Sequence, residues 1–215
     1  MMANKPPRAE RITLAGASGP IEALVETPEP SDTDHFGVIC HPHPLYGGTL
    51  DNKVVYTLAR AFEVLGAPTI RFNFRGVGSS TGTFDRGEGE ADDALAVVAY
   101  GRQRWPDAAL WLAGFSFGGA VAVKCAARAR PERLVAVAPG VTILDLESVA
   151  PKCPWLIVQG DADDVIEPRY VLDWASKRTP RPAISVLPGA GHFFHGRLGE
   201  LREAVLAFMR ARAPS

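Results

Sequence analysis

The sequence predicts an α/β fold: a mostly parallel sheet of approximately eight strands with helices on both faces. Three observations predict it. Apolar runs of strand length alternate with stretches of helical period along the 215 residues. The middle runs are apolar throughout, as strands covered on both faces require. The residues able to do chemistry fall directly after strands, at the end of such sheets where ligands bind.

Taken in order, residues 21–27 alternate as a strand and residues 36–40 form a short buried one. Residues 51–65 read as a helix, with Val54, Val55, Leu58, Phe62 and Leu65 on one face. A strand follows over 69–74, ending at Arg75-Gly76, and a helix covers 91–100 through Ala94, Leu95, Val97 and Val98. Residues 110–113 are a strand and 120–129 an alanine-rich helix. Strands at 134–138 and 155–158, a helix at 170–176 and a strand at 183–187 come next. An amphipathic helix over 198–212 closes the chain. No repeat, low-complexity tract or linker divides it, so residues 1–215 read as a single domain. Residues 1–10, polar and proline-containing, are expected to be poorly ordered.

Composition narrows the function. A hydrophobic content of 47% with 22% charged residues gives a full soluble core without staples. Lys and Arg total 23 against 24 Asp and Glu, so no basic field favours a nucleic acid. No apolar stretch approaches the ~20 residues that span a bilayer, and residues 1–11 lack the apolar segment of a signal peptide. Cys40, Cys125 and Cys153 are odd in number and lack C-x-x-C spacing; Cys40 and Cys125 sit in apolar runs. That pattern suits a reducing, cytoplasmic setting. The expected partner is a small molecule, and the sequence sets no oligomeric state.

The sharpest motif is Gly114-Phe115-Ser116-Phe117-Gly118, a G-x-S-x-G between a strand and a helix. A serine on that sharp turn adopts a strained backbone and exposes its Oγ above the sheet. Glycines two before and two after it remove side chains where the chain crowds. Serine needs a base and an orienting acid. Where serine leads, acid and histidine follow in chain order, which selects His192 and His195 from the five histidines. His192 follows the strand at 183–187 through Pro188-Gly189-Ala190-Gly191 and is the expected base; His195 lies nearer the last helix. Asp161, Asp163 and Asp164 follow the strand at 155–158. Asp163, near the loop apex, is the expected acid, with Asp161 suited to turn hydrogen bonds and Asp164 to capping the next helix.

An oxyanion needs two preorganised N–H donors. Phe117, after the nucleophile, supplies one. The second comes from the loop His41-Pro42-His43-Pro44-Leu45-Tyr46-Gly47-Gly48, where the prolines have no N–H. His43 is the first choice and Leu45 the second, and one X–Pro bond there is a candidate for cis. His41 and His43 have no thiol or carboxylate at ligand spacing, so neither a metal nor another cofactor is expected. Phe115, Phe117, Leu45, Tyr46, Phe193 and Phe194 are candidates either for apolar site walls or for core packing.

Over nearly its whole length the chain resembles the α/β-hydrolase superfamily, and within it the small bacterial hydrolases related to dienelactone hydrolases and carboxylesterases. Residues 41–48, 72–82, 114–118, 160–168 and 189–192 carry the resemblance. It implies the α/β-hydrolase fold and supports Asp163, since the superfamily's acid commonly stands three residues beyond a strand-end glycine, here Gly160. It also implies that Arg75 and Gly76 shape the loop after the fourth core strand. Two departures matter. Pro42 stands where many relatives have glycine, and the nucleophile is serine where dienelactone hydrolases use cysteine. Only a short connection separates residue 136 from residue 155, which leaves no room for a large lid. The expected activity is cleavage of a small or medium carboxylic ester through an acyl-enzyme. A thioesterase, peptidase or acyltransferase is the alternative, and a non-catalytic binding protein the remote one.

Overall fold

A computed structural model describes residues 6–31 and 34–211. Eight strands form one sheet in the order β1-β2-β4-β3-β5-β6-β7-β8. They are β1 (Arg8–Gly16), β2 (Gly19–Thr27), β3 (His35–Cys40), β4 (Thr69–Phe72), β5 (Ala109–Phe115), β6 (Arg133–Val137), β7 (Trp155–Gly160) and β8 (Ala183–Leu187). β1 and β2 make an antiparallel hairpin and β2 runs antiparallel to β4. From β4 to β8 every neighbouring pair is parallel.

The helices divide between the two faces. α1 (Lys53–Val64) and α5 (Leu198–Arg210) pack through Val54, Leu58, Phe62, Leu201 and Val205 against one side. α2 (Glu88–Arg104), α3 (Phe117–Ala129) and α4 (Pro168–Ser176) cover the other, through Val97, Val121 and Trp174. β3, β5, β6 and β7 lie between two apolar layers and carry few exposed residues, which is why their sequence shows no alternation. The mostly parallel eight-stranded sheet with helices on both faces is therefore as the sequence predicts.

Local differences have physical reasons. Residues 8–10 are paired in β1 opposite Val25, Glu26 and Thr27, which corrects the expectation of a poorly ordered start for those three; residues 1–5 lie outside the described residues. α3 begins at Phe117, three residues before the sequence reading, because Gly118 and Gly119 in its first turn are weak helix formers and hide the start. α2 begins at Glu88 and runs on to Arg104. Its first turn is built from polar groups: the Glu90 carboxylate accepts from the Gly87 amide at 2.7 Å and the Asp85 amide at 2.9 Å. β4 stops at Phe72, and the expected end of the last helix, Arg212, lies outside the described residues.

The two segments that flank the site are tied down by buried ions. After β4, the Arg75 guanidinium grips both oxygens of Asp93 in α2, at 3.0 and 2.8 Å, and the Arg75 amide donates to the same carboxylate at 3.0 Å. This is the loop-shaping part that the resemblance implies for Arg75. Between β6 and β7, residues 138–151 form neither helix nor strand. Arg178 pins them by donating to the Glu147 carbonyl at 2.6 Å and the Leu146 carbonyl at 3.2 Å. Among the described residues no lid covers the carboxyl end of the sheet.

Candidate active site

Ser116 stands on the turn from β5 into α3 with φ 56° and ψ −120°, a left-handed conformation that a side chain adopts only when its surroundings enforce it. Three backbone hydrogen bonds enforce it here. The Ser116 amide donates to the Val137 carbonyl at 2.8 Å, and the Ser116 carbonyl accepts from Ala120 and Gly140, both at 3.0 Å. The turn is tight as well. A Cβ on Gly114 would stand 2.1 Å from the Gly118 carbonyl oxygen, and one on Gly118 would stand 2.2 Å from the His41 oxygen. The glycines let the serine turn press directly on the end of β3.

From that turn a line of hydrogen bonds crosses the carboxyl edge of the sheet. Ser116 Oγ lies 2.9 Å from His192 Nε2, and His192 Nδ1 lies 2.8 Å from Asp163 Oδ2. All three side chains are buried, with residue exposures of 4–5%. The Asp163 carboxylate also accepts from the Val165 amide at 2.9 Å and the Ile166 amide at 2.8 Å through Oδ1. Burial alone raises the Asp163 carboxyl, but the His192 hydrogen bond and these amides outweigh it and hold the group below its usual value. Asp163 is thus an anion placed to keep a proton on Nδ1, which leaves Nε2 to accept a hydrogen bond from the Ser116 hydroxyl. Asp161 instead caps a turn, accepting from the Gly189 amide at 2.6 Å.

The loop after β3 lies beside the serine turn. The His43 ring packs on Phe117 with centroids 4.9 Å apart. The Leu45 amide donates to His43 Nδ1 at 3.2 Å. The amides of His43 and Phe117 are left without a hydrogen-bond partner among the described residues. Neither X–Pro bond of this loop is cis; the cis bonds are Glu29–Pro30 and Thr179–Pro180.

The six candidate wall residues divide evenly. Phe115, Phe117 and Phe194 are core residues with no exposed surface. Leu45, Tyr46 and Phe193 are exposed, and the Phe193 ring stands edge-on to His192 at 5.1 Å. A cleft of about 510 Å³ adjoins the acid, lined by Thr142, Asp163, Asp164, Val165, Glu167 and Tyr170.

His41 is a residue whose role the sequence reading missed. It is fully buried, its Nε2 accepts from the Phe74 amide at 3.0 Å, and its Nδ1 donates to the Pro42 carbonyl at 2.6 Å. It thereby fastens the loop after β3 to the loop after β4 as a neutral ring. Burial, with a small push from His43, takes its pKa from 6.5 down to about 4, against the Pro42 hydrogen bond. The unfolded chain protonates this ring near pH 6.5 and the folded one only near 4. Stability should therefore fall as pH drops through that window, by about 3 kcal/mol from this ring alone. Urea midpoints at pH 7 and pH 4.5 measure the loss in Glu63→Gln, where the buried Glu63 carboxyl, raised to about 7, no longer offsets it, and NMR of the ring must show it neutral at pH 5.5. A ring charged in the folded protein at that pH would contradict the account.

Comparisons with known proteins agree with the fold. Residues 38–139 match a family model described as the alpha/beta hydrolase fold. An uncharacterized protein of Rickettsia prowazekii is 36% identical over 182 residues, 79% of this chain and 76% of that one. A lidless α/β serine hydrolase from Xanthomonas campestris is 40% identical with a TM-score of 0.92, covering 99% of this chain and 100% of that one. An α/β serine hydrolase homologue from Coxiella burnetii is 43% identical with a TM-score of 0.87, covering 92% of this chain and 96% of that one. Sheet order, the glycine-flanked serine turn and whole-length likeness to serine hydrolases all lead to one family, and this chain belongs to the α/β hydrolases.

Proposed function

We propose that the protein is a serine carboxylesterase acting on small and medium esters through an acyl-enzyme. The observation that carries the reading is the unbroken line Ser116 Oγ, His192 Nε2, His192 Nδ1, Asp163 Oδ2, with contacts of 2.9 and 2.8 Å. Ser116 attacks the ester carbonyl while His192 Nε2 takes its proton. Asp163 stabilises the imidazolium without accepting the proton. The oxyanion that forms meets the amides of Phe117 and His43, at the amino end of α3, where the helix dipole favours negative charge. Leu45 is the weaker alternative donor because its amide already serves His43. His192 then protonates the leaving alcohol, and water, deprotonated by the same ring, releases the acid. These residues suffice without a cofactor.

The substrate range follows from the rim. Leu45, Tyr46 and Phe193 offer apolar surface at the entrance, and among the described residues no lid deepens it into a channel. We take residues 1–215 to act as one domain, in a cytoplasmic setting that suits free Cys40, Cys125 and Cys153.

A series of p-nitrophenyl esters tests the reading. kcat/KM is expected to be highest from acetate to butyrate and to stop rising with longer chains, although each methylene that stays buried adds about 0.8 kcal/mol. A steady rise to decanoate would overturn the size assignment. Parallel thioester and peptide substrates separate an esterase from a thioesterase, peptidase or acyltransferase on the same three residues. Failure of a fluorophosphonate to label Ser116 in the folded protein favours a binding protein instead.

A further inference from the structure

Gln159 is the polar residue in an otherwise apolar stretch of β7, after Trp155, Leu156, Ile157 and Val158, and its side chain is completely enclosed. Its Nε2 lies 3.0 Å from Asp163 Oδ2 and 3.3 Å from the Gly160 and Ile166 carbonyls. Its Oε1 has no hydrogen-bond partner among the described residues. An orphaned buried carbonyl is costly, so packing alone favours an apolar side chain of this size. What glutamine adds is the donor, and its shortest contact is the carboxylate.

We propose that Gln159 is a positioning residue for the hydrolysis, its Nε2 holding Asp163 Oδ2 in the orientation that meets His192. The proposal rests on the Ser116–His192–Asp163 reading above. Each carboxylate oxygen offers two acceptor sites. The Val165 and Ile166 amides fill those of Oδ1; His192 and Gln159 fill those of Oδ2. Without Gln159, Oδ2 is restrained only by the imidazole it is meant to orient. Rooted in β7 between β6 and β8, Gln159 ties the direction of the carboxylate to the sheet rather than to the imidazole. Its N–H also favours the ionised form of the acid.

The test uses the full chain, an aryl acetate and two variants. In Gln159→Met the donor and the orphaned oxygen leave together. kcat should fall about tenfold, as when other residues supporting a reactive side chain are removed, with KM little changed and the melting temperature level or higher. In Gln159→Glu a protonated carboxyl still donates to Asp163, but two carboxyls sharing a site release that proton at raised pH. Activity should then fall on the alkaline side, a limb the unsubstituted enzyme lacks. Unchanged kcat in Gln159→Met, or an unchanged pH profile in Gln159→Glu, overturns the proposal; if the methionine variant does not fold, the glutamate profile decides. Ser116→Ala separates the two levels. Full activity in that variant overturns the underlying reading, whereas an inactive Ser116→Ala beside a fully active Gln159→Met overturns the role of Gln159 alone.

Discussion

Replacing Ser116 with alanine is expected to lower kcat for ester hydrolysis by about 10⁴-fold or more at unchanged fold. The hydroxyl is the group that leads the hydrogen-bonded line to His192 and Asp163, so its loss removes the atom proposed to attack the ester. Nothing in the fold depends on that oxygen: the turn is held by the Ser116 backbone, through Val137, Ala120 and Gly140. Alanine can keep the same φ of 56° because those contacts impose it. The Phe117 and His43 amides proposed to meet the oxyanion stay in place, so a weak residual rate over water is expected to remain. Purified Ser116→Ala is assayed on an aryl acetate beside the unsubstituted protein, with circular dichroism to check the fold. Full retention of activity would remove Ser116 from the mechanism. His192→Ala should fall by a comparable factor, because residues that act as a unit lose most of their effect together.

Gly118→Ala is expected to destabilise the fold severely. Its new methyl would lie 2.2 Å from the His41 oxygen and 2.5 Å from the Cys40 oxygen, both backbone atoms of the strand end beside the serine turn. No rotamer change relieves that overlap; α3 or the end of β3 must move. The cost is expected to reach about 4 kcal/mol or more, the range of severe backbone clashes. For a chain of this size that lowers the melting temperature by roughly 10 °C or more. Activity should fall further than stability in whatever protein folds, since the same shift separates the His43 and Phe117 amides. A melting temperature within two or three degrees of the parent, measured by calorimetry, would mean the turn is looser than its contacts imply.

Strands buried on both faces and glycine-marked turns were legible in the sequence because each has a local signature. Apolar runs announce β3, β5, β6 and β7, and Gly114 and Gly118 announce the serine turn. The order serine, acid, histidine selected side chains that the fold does bring together. What escaped was polar structure. β1 was missed because it is an edge strand with only Leu14 fully buried, so its pairing rests on backbone that residue types do not advertise. The first two turns of α2 hide buried Glu90 and Asp93, whose partners Gly87, Asp85 and Arg75 are visible only once the loops are closed. His41 and Gln159 were overlooked for the same reason: a buried polar side chain is defined by what it meets, and those neighbours are far away in the chain. Phe115, Phe117 and Phe194 show the converse, aromatic residues beside the site that belong to the core.

The clamped segment between β6 and β7 has a kinetic consequence. With no moving cover among the described residues, the proposed enzyme has no opening step for products to wait on, and bond making and breaking are expected to set the pace of its turnover. The proposed acyl-serine, although its oxygen is buried, then lies next to an entrance with no cover among the described residues. With water in large excess over any dilute alcohol at that mouth, the proposed enzyme is expected to hydrolyse its acyl group rather than transfer it.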